Sequence, residues 1–132
     1  MWRTYLRLAF IISSFLFLSC KKDHEQFPVI SGSWELRASY NGQGGAINYP
    51  AGNGNFLKFT SVTYQKYSNI GIQQSGTYKI IKHNSQVMGG TRDRIVYDND
   101  MDSPAIIISL SHDSLMFSID AYDGPGSLYI KE

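Results

Sequence analysis

Apolar and polar residues alternate along several short stretches of this chain, from residue 34 almost to its end. In the first stretch, Trp34, Leu36 and Ala38 are separated by Glu35 and Arg37. A repeat of two places apolar side chains on one face, which is typical of a half-buried β-strand. Comparable strand-forming stretches occupy residues 56–59, 63–67, 77–82, 94–97, 105–110, 115–119 and 127–131.

Turn-forming residues separate these stretches and limit their length. The segment 41–55 is rich in Gly and Asn, which predicts a long loop. The stretch 105–110 is nearly all Ile and predicts a strand buried on both faces or packed against a tight core. No helical repeat follows residue 20, so we expect an all-β domain of about eight strands.

Evenly spaced strands joined by hairpins favour an antiparallel up-and-down meander. Closing the meander into a barrel pairs its edge strands and removes its exposed edges. A barrel of about eight strands is just wide enough for side chains or one small ligand. A sandwich of two sheets built from the same strands is the structural alternative.

The N-terminal residues have a different pattern, which indicates a secretory signal. Arg3 and Arg7 precede an almost unbroken apolar run over residues 8–18. A basic flank, a short apolar run and small residues at its end are typical of such signals, and a spanning helix needs about 20 apolar residues. We therefore assign residues 1–19 to a signal peptide, with an uncleaved N-terminal anchor as the alternative.

Cys20 follows the apolar run directly and is the only cysteine of the chain. The tripeptide Leu18-Ser19-Cys20 resembles the lipobox of bacterial lipoproteins, and this resemblance implies lipid on Cys20. The alternative is a free thiol. A single cysteine forms no disulfide within the chain, so the exported domain must rely on its core.

Cleavage before Cys20 would also change the charge of the chain. Removing Arg3 and Arg7 leaves ten Lys and Arg against eleven Asp and Glu, without a block of basic residues. Nucleic acid is therefore not an expected partner, and membrane association would come from acyl chains.

Residues 20–30 are predicted to form a polar tether between the membrane and the domain. The acidic residues after Lys22 resemble a signal for surface exposure. The expected location is therefore the cell envelope, at the periplasmic or surface face of the outer membrane.

The predicted domain over residues 31–132 opens with Gly32-Ser33-Trp34, which matches the G-x-W at the start of lipocalins, where the tryptophan plugs the closed end of the barrel. Through this motif the domain resembles the small lipocalin-like lipoproteins of Bacteroidetes. The Thr-Asp-Tyr motif of larger lipocalins has no counterpart in this sequence. Their arginine near the last strand is also missing, and the nearest cation to that place is Lys131. Further segments that carry the resemblance are 54–59, 76–80, 113–115 and 120–125. The resemblance implies an eight-stranded lipocalin-like barrel.

Aromatic residues on the predicted strands form the candidate ligand site. Inward-facing aromatic rings with a few polar tips can line an apolar pocket that is open at one end. The alternative is that the rings fill a solid core, which is a comparable expectation for so short a chain. For Trp34 we expect a structural role rather than contact with a ligand. The candidate pocket residues are Trp34, Phe59, Tyr64, Tyr78, Tyr97 and Phe117.

The polar clusters do not indicate catalysis or a metal. Alternate acids over residues 98–102 match the start of a calcium loop, but Ser103 and Ser109 stand where the glycine and the closing glutamate belong. His112 and Asp113 lie side by side in a predicted turn, whereas a catalytic triad is assembled in space. We expect no cofactor and no enzymatic activity.

These observations predict a membrane-anchored envelope lipoprotein whose barrel binds a small hydrophobic ligand. The alternative is a non-enzymatic interaction or structural protein with a filled barrel, which docks on another envelope protein through the loop 41–55 or its outer face. A cavity inside the barrel, and the polarity of its mouth, would distinguish the two hypotheses.

Overall fold

The computed structural model describes residues 25–132, which form nine β-strands and no helix. The predicted signal peptide and Cys20 therefore lie outside the described residues. Within those residues there is no helix of the length and apolarity needed to span a membrane. The strands are β1 (Gly32–Tyr40), β2 (Ala46–Asn48), β3 (Phe56–Phe59), β4 (Thr63–Ser68), β5 (Gly71–Asn84), β6 (Thr91–Tyr97), β7 (Ile106–Ser111), β8 (Ser114–Ile119) and β9 (Gly126–Lys131).

Eight of the nine strands form a closed antiparallel barrel. From β3 to β9 each strand pairs with the next along the chain, and β9 pairs with β1 to close the ring. The other edge of β1 is shared, since β3 pairs with its first half and β2 with its last residues. The predicted all-β, up-and-down, eight-stranded barrel is confirmed, and its shape is consistent with a lipocalin-like barrel. The sandwich alternative is wrong because the sheet closes on itself.

Two strands differ from the sequence prediction. The short strand β2 lies inside the segment that was predicted to be entirely loop; its three residues are all exposed, so no alternation marked it. The strand β5 begins at Gly71, well before the predicted start at residue 77. The pattern missed residues 71–75 because they are exposed on both faces and show no apolar alternation. The first half of β5 pairs with β4 and its second half with β6, so the strands are strongly staggered around the barrel.

The end of the barrel where β1 starts and β9 finishes is closed by Trp34. Trp34 is 1% exposed there, and its Nε1 donates a hydrogen bond of 2.8 Å to the carbonyl oxygen of Ile30. Ile30 falls in the predicted tether, yet it is also 1% exposed and packs in the core cluster. The Nζ of Lys82 donates to the carbonyl oxygen of Gln26 at 3.3 Å. The segment 25–30 therefore lies against this closed end of the barrel.

The isoleucine-rich strand β7 has buried residues on its outer face as well as on the face toward the barrel interior. Ile107 and Ile108 are neighbours in β7 and so point to opposite faces, yet they are 5% and 4% exposed. Ile108 belongs to the core cluster, whereas Ile107 shares its face with Arg94 and Ser118. Burial on both faces therefore holds at Ile107 and Ile108, whereas Ser109, on the same face as Ile107, is exposed.

The connection between β5 and β6 is bound to the residue that follows β8. The carboxylate of Asp120 accepts a hydrogen bond of 2.6 Å from Ser85 Oγ and lies 3.0 Å from Nε2 of His83. Ser85 is buried and its Oγ also accepts from the Met88 amide. These contacts fix the loop between β5 and β6 without any sheet pairing.

Candidate functional site

A cavity of about 280 Å³ lies inside the barrel at the end opposite Trp34. Its walls come from β3 and β4, from the ends of β6 and β8, from the first halves of β5 and β7 and from β9, which meet at one end because successive strands are antiparallel. Exposed residues, including Pro125, stand among the lining residues, so the cavity is open to solvent. The cavity is lined by Leu57, Tyr64, Lys66, Gln74, Tyr97, Ile106, Phe117, Ser118, Ile119, Pro125, Gly126, Ser127 and Tyr129.

Two pairs of aromatic rings form much of the cavity wall. The ring centroids of Tyr64 and Tyr97 are 4.5 Å apart at an interplanar angle of 59°. The rings of Phe117 and Tyr129 meet edge to face, with centroids 5.5 Å apart and an angle of 81°. Both separations lie in the range favoured by aromatic pairs. The pairs hold each ring in place and leave an apolar surface toward the cavity.

The hydroxyl of Tyr64 is fixed by a polar network at the edge of the cavity. It donates to Asp98 Oδ2 at 3.0 Å and accepts from Gln74 Nε2 at 2.8 Å. The other oxygen of Asp98 accepts the Thr77 amide at 2.8 Å. Burial, and then the hydrogen bond to Asp98, raise the pKa of Tyr64 above its ordinary value. Tyr64 is therefore a neutral, oriented wall residue at physiological pH.

Gly76 is what allows the Asp98 carboxylate to sit beside β5. A Cβ at this position would come within about 2.0 Å of Asp98 Oδ1, far inside contact distance. Asp98 itself has a φ of 50°, in the left-handed region that a short polar side chain tolerates. Gly76 thus has a steric function in building the site.

The hydroxyls of Tyr97 and Tyr129 make no hydrogen bond with any residue of the described part of the chain, 25–132. Burial raises the pKa of Tyr129 to about 12, and burial followed by neighbouring tyrosines raises the pKa of Tyr97 further. Both hydroxyls are therefore protonated donors near an apolar cavity. Such groups can orient a ligand that carries an oxygen atom.

Lys66 is the one charged residue among those that line the cavity. It pairs with Leu57 on β3 and with Gln74 on β5, and paired residues share a face of the sheet. Since Leu57 belongs to the buried core, Lys66 and Gln74 also face the barrel interior, at its solvent-exposed rim. The cavity thus has an apolar wall, tyrosine hydroxyls and a single cationic group at its mouth.

The structure brings three of the six candidate pocket residues to the cavity: Tyr64, Tyr97 and Phe117. The other three lie toward the closed end. Phe59 packs edge to face on Tyr78, with ring centroids 5.0 Å apart, and Trp34 is completely enclosed. The hydroxyl of Tyr78 donates to the Thr60 carbonyl oxygen at 2.7 Å. Ligand contact by the six residues remains a prediction. The first three line the barrel cavity, whereas Tyr78 lines a separate open pocket beside residues 27–31.

The candidate set omitted Tyr129, Lys66 and Gln74. Tyr129 carried the same strand signal as the other aromatics. Lys66 and Gln74 are polar residues at inward positions, where alternation predicts apolar ones, so only knowledge of the register between β4 and β5 could have identified them.

In the acidic segment 98–102, Asp98 and Asp100 accept hydrogen bonds from nearby protein groups. Asp98 accepts from the Tyr64 hydroxyl and the Thr77 amide, and Asp100 accepts from the Asp102 amide and from Ser103. The Ser103 hydroxyl, ahead of backbone amides, lowers the pKa of Asp100. Within residues 25–132 no three His, Cys, Asp or Glu side chains converge in a way that could hold a metal ion.

The histidines also have separate environments. His112 occupies the turn between β7 and β8 at a φ of 49°, as the sequence predicted for a turn. His83 instead contacts the carboxylate of Asp120, which also accepts a hydrogen bond from the Ser85 hydroxyl. A serine that donates to a carboxylate is not activated as a nucleophile, so this group of three does not form a triad.

Comparison with known proteins adds no family assignment to this geometry. The chain matches no protein-family model, no curated protein and no solved structure.

Proposed function

We propose that this chain is a membrane-anchored envelope lipoprotein whose barrel binds a small hydrophobic ligand. The observation that carries the binding proposal is the open cavity of about 280 Å³, walled by Tyr64, Tyr97, Phe117 and Tyr129. Ligand clefts have volumes of about 300–1,000 Å³ and apolar walls with a few polar groups. The cavity is slightly smaller than this range, which favours a compact ligand.

The anchoring part of the proposal rests on the sequence. Cys20 follows an apolar run and a lipobox-like tripeptide, and lipid on this residue would hold the domain on a membrane of the cell envelope. Metabolic labelling with a fatty acid, followed by mass spectrometry of the mature N-terminus, tests this assignment. Label on the wild type and none on Cys20→Ser would support it, and an unmodified Cys20 in the mature protein would contradict it.

A cavity-filling substitution tests the binding proposal. Ser127 is half-buried, lines the cavity and pairs with Phe117, so a phenylalanine there would project into the cavity. We expect Ser127→Phe to weaken binding of an environment-sensitive apolar dye at least about tenfold, which corresponds to about 1.4 kcal/mol. Ser75→Phe is the matched control, because Ser75 is exposed and lies next to Gln74 on the opposite face of β5.

Native mass spectra complete that test. Extra mass that leaves with organic solvent and belongs to one compound would support the carrier function and identify the class of ligand. Dye binding by Ser127→Phe that equals binding by the wild type would contradict a site in this cavity.

The alternative, a docking protein, is favoured by apolar side chains on the loops at the cavity end. Ile47 on β2, within the predicted loop 41–55, is 62% exposed, and Tyr122 between β8 and β9 is 90% exposed. Absence of ligand mass and of dye binding, together with capture of one envelope protein that Ile47→Asp abolishes, would establish docking in place of ligand binding.

A further inference from the structure

We propose that the ligand is an amphipathic anion, whose charged head lies at Lys66 and whose apolar body occupies the cavity. This inference rests on the proposed binding function and specifies the chemical class of the ligand. The geometry that carries it is the place of Lys66, an exposed lysine at an inward position of β4, at the rim of a cavity whose other lining residues are uncharged.

The charge balance of the cavity favours an anion. No Asp or Glu lines it, and Lys66 is its single charged side chain. Within the described residues, Lys66 takes part in no ion pair, whereas Lys82 pairs with Asp93 at 2.7 Å. An ammonium group beside a low-dielectric surface attracts a negative charge more strongly than one surrounded by water.

Asp98 is bonded to a wall residue of the cavity, Tyr64, through one of its carboxylate oxygens, and its other oxygen accepts the Thr77 amide. The Tyr64 hydroxyl also accepts a hydrogen bond from the Gln74 amide. Tyr64 and Gln74 line the cavity, whereas Asp98 does not. Tyr64 and Gln74 present neutral polar groups there, and Lys66 remains as the charged one.

The position of Lys66 along the barrel defines which end of the ligand it would contact. Lys66 is exposed at the rim, while its cross-strand neighbour Leu57 is 6% exposed in the core. Phe117 and Tyr129 lie among the buried residues on the far wall. A ligand that matches both the exposed cation at the rim and the buried apolar wall has its charged group toward the solvent and its apolar body directed inward. A carboxylate on a short hydrocarbon chain has this form.

Three probes with the same chain and different heads test the inference: decanoate, decanol and decylammonium. Each is titrated calorimetrically into the purified full chain below its micelle concentration. We expect decanoate to bind about tenfold more tightly than decanol, the change that corresponds to about one charge-assisted hydrogen bond, and decylammonium to bind most weakly. Added salt should weaken decanoate binding and leave decanol binding unchanged.

Substitutions assign the preference to one side chain. Lys66→Gln should make decanoate and decanol bind equally, and Lys66→Arg should restore the preference. Lys79→Gln is the control, since Lys79 is an exposed lysine that pairs with Val96 on the other face of the sheet, and it should bind as the wild type does.

The outcomes separate the two proposals. Equal binding of decanoate and decanol by the wild type, or a preference that survives in Lys66→Gln, would overturn the anionic head while leaving a hydrophobic ligand in place. If none of the three probes binds and the apolar dye does not bind either, both the proposed function and this inference are wrong.

Discussion

The ammonium group of Lys131 lies over the indole of Trp34, with Nζ 5.7 Å from the ring centroid. The two residues are directly paired on β9 and β1, the strands whose pairing closes the barrel. Trp34 also donates its indole N–H to Ile30. One tryptophan therefore joins the first strand, the last strand and the segment that precedes the first strand.

Replacing Trp34 should destabilise the fold much more than replacing Lys131. Trp34→Phe would leave the buried Ile30 carbonyl oxygen without its partner and create a small cavity, for a loss of about 2–4 kcal/mol in the free energy of unfolding. Lys131→Met keeps the apolar stem and removes the cation over the ring, for a loss of about 0.5–1 kcal/mol. Urea unfolding measures both, and equal losses would contradict a plugging role for Trp34.

Gly76→Ala should disrupt the polar edge of the cavity. The added Cβ would displace the Asp98 carboxylate and break its bonds to Tyr64 and Thr77, for an expected loss of about 1–3 kcal/mol. The neighbouring Ser75→Ala should change stability by less than about 0.5 kcal/mol, since Ser75 is exposed. Similar urea midpoints for the two variants would show that Asp98 adapts to the methyl group without loss.

Alkaline pH should unfold the protein through its buried tyrosines. Burial raises the folded-state pKa of Tyr129 from 10.0 to about 12, so the unfolded chain releases this proton first. The stabilising effect is fully present below the unfolded pKa of 10.0 and is lost as the pH rises toward about 12, at about 1.4 kcal/mol per pH unit. Urea midpoints across this range measure the slope.

Two tyrosine variants separate this effect from general alkaline damage. Tyr129→Phe removes the ionisable group and should reduce the slope. Tyr122→Phe should keep the slope of the wild type, because Tyr122 is 90% exposed. Identical slopes for all three proteins would rule out Tyr129 as a cause.

Acid should release the loop between β5 and β6. The Ser85 hydroxyl, followed by His83 and the amides of Gln86 and Val87, lowers the pKa of Asp120 despite its burial. A depressed pKa means that Asp120 stabilises the fold above its unfolded pKa of about 3.8, and that this contribution is lost as the pH falls through the lower folded value.

Hydrogen exchange measures this release at neutral pH with a charge-removing variant. Asp120→Asn should accelerate exchange of the amides of residues 86–88 and leave β1 protected. Asp123 lies with Asp120 in the connection between β8 and β9 but is exposed, so the amides of Asp123→Asn should exchange at the wild-type rates. Unchanged protection of residues 86–88 in Asp120→Asn would show that the carboxylate is not what holds the loop.

The alternation of side chains predicted the fold class because a closed barrel needs one buried face on every strand. It placed most strands within a few residues of their observed bounds. It failed for residues 71–75 and for β2, which lie against water on both faces and so carry no period of two. Pairing with neighbouring strands, rather than burial, makes these residues extended.

The site was less predictable than the fold. Phe59 and Tyr64 have the same sequence signal and are paired neighbours on β3 and β4, yet only Tyr64 lines the cavity. Strand pairing determines which rings meet, since Phe59 packs on Tyr78 and Tyr64 packs on Tyr97 beside the cavity, and the local sequence does not encode that pairing. The same reason hid Lys66, whose polarity suggested an outward position.

The segment before β1 lies against the closed end of the barrel, through the contacts of Gln26 and Ile30. A lipid on Cys20 would be joined to Glu25 by a connection of at most about 18 Å, so the plugged end would face the bilayer. The cavity mouth would then face away from the membrane. Loading would depend on the concentration of free ligand in the aqueous phase, or on a delivering protein, and would not increase with the amount of ligand dissolved in the bilayer beneath it.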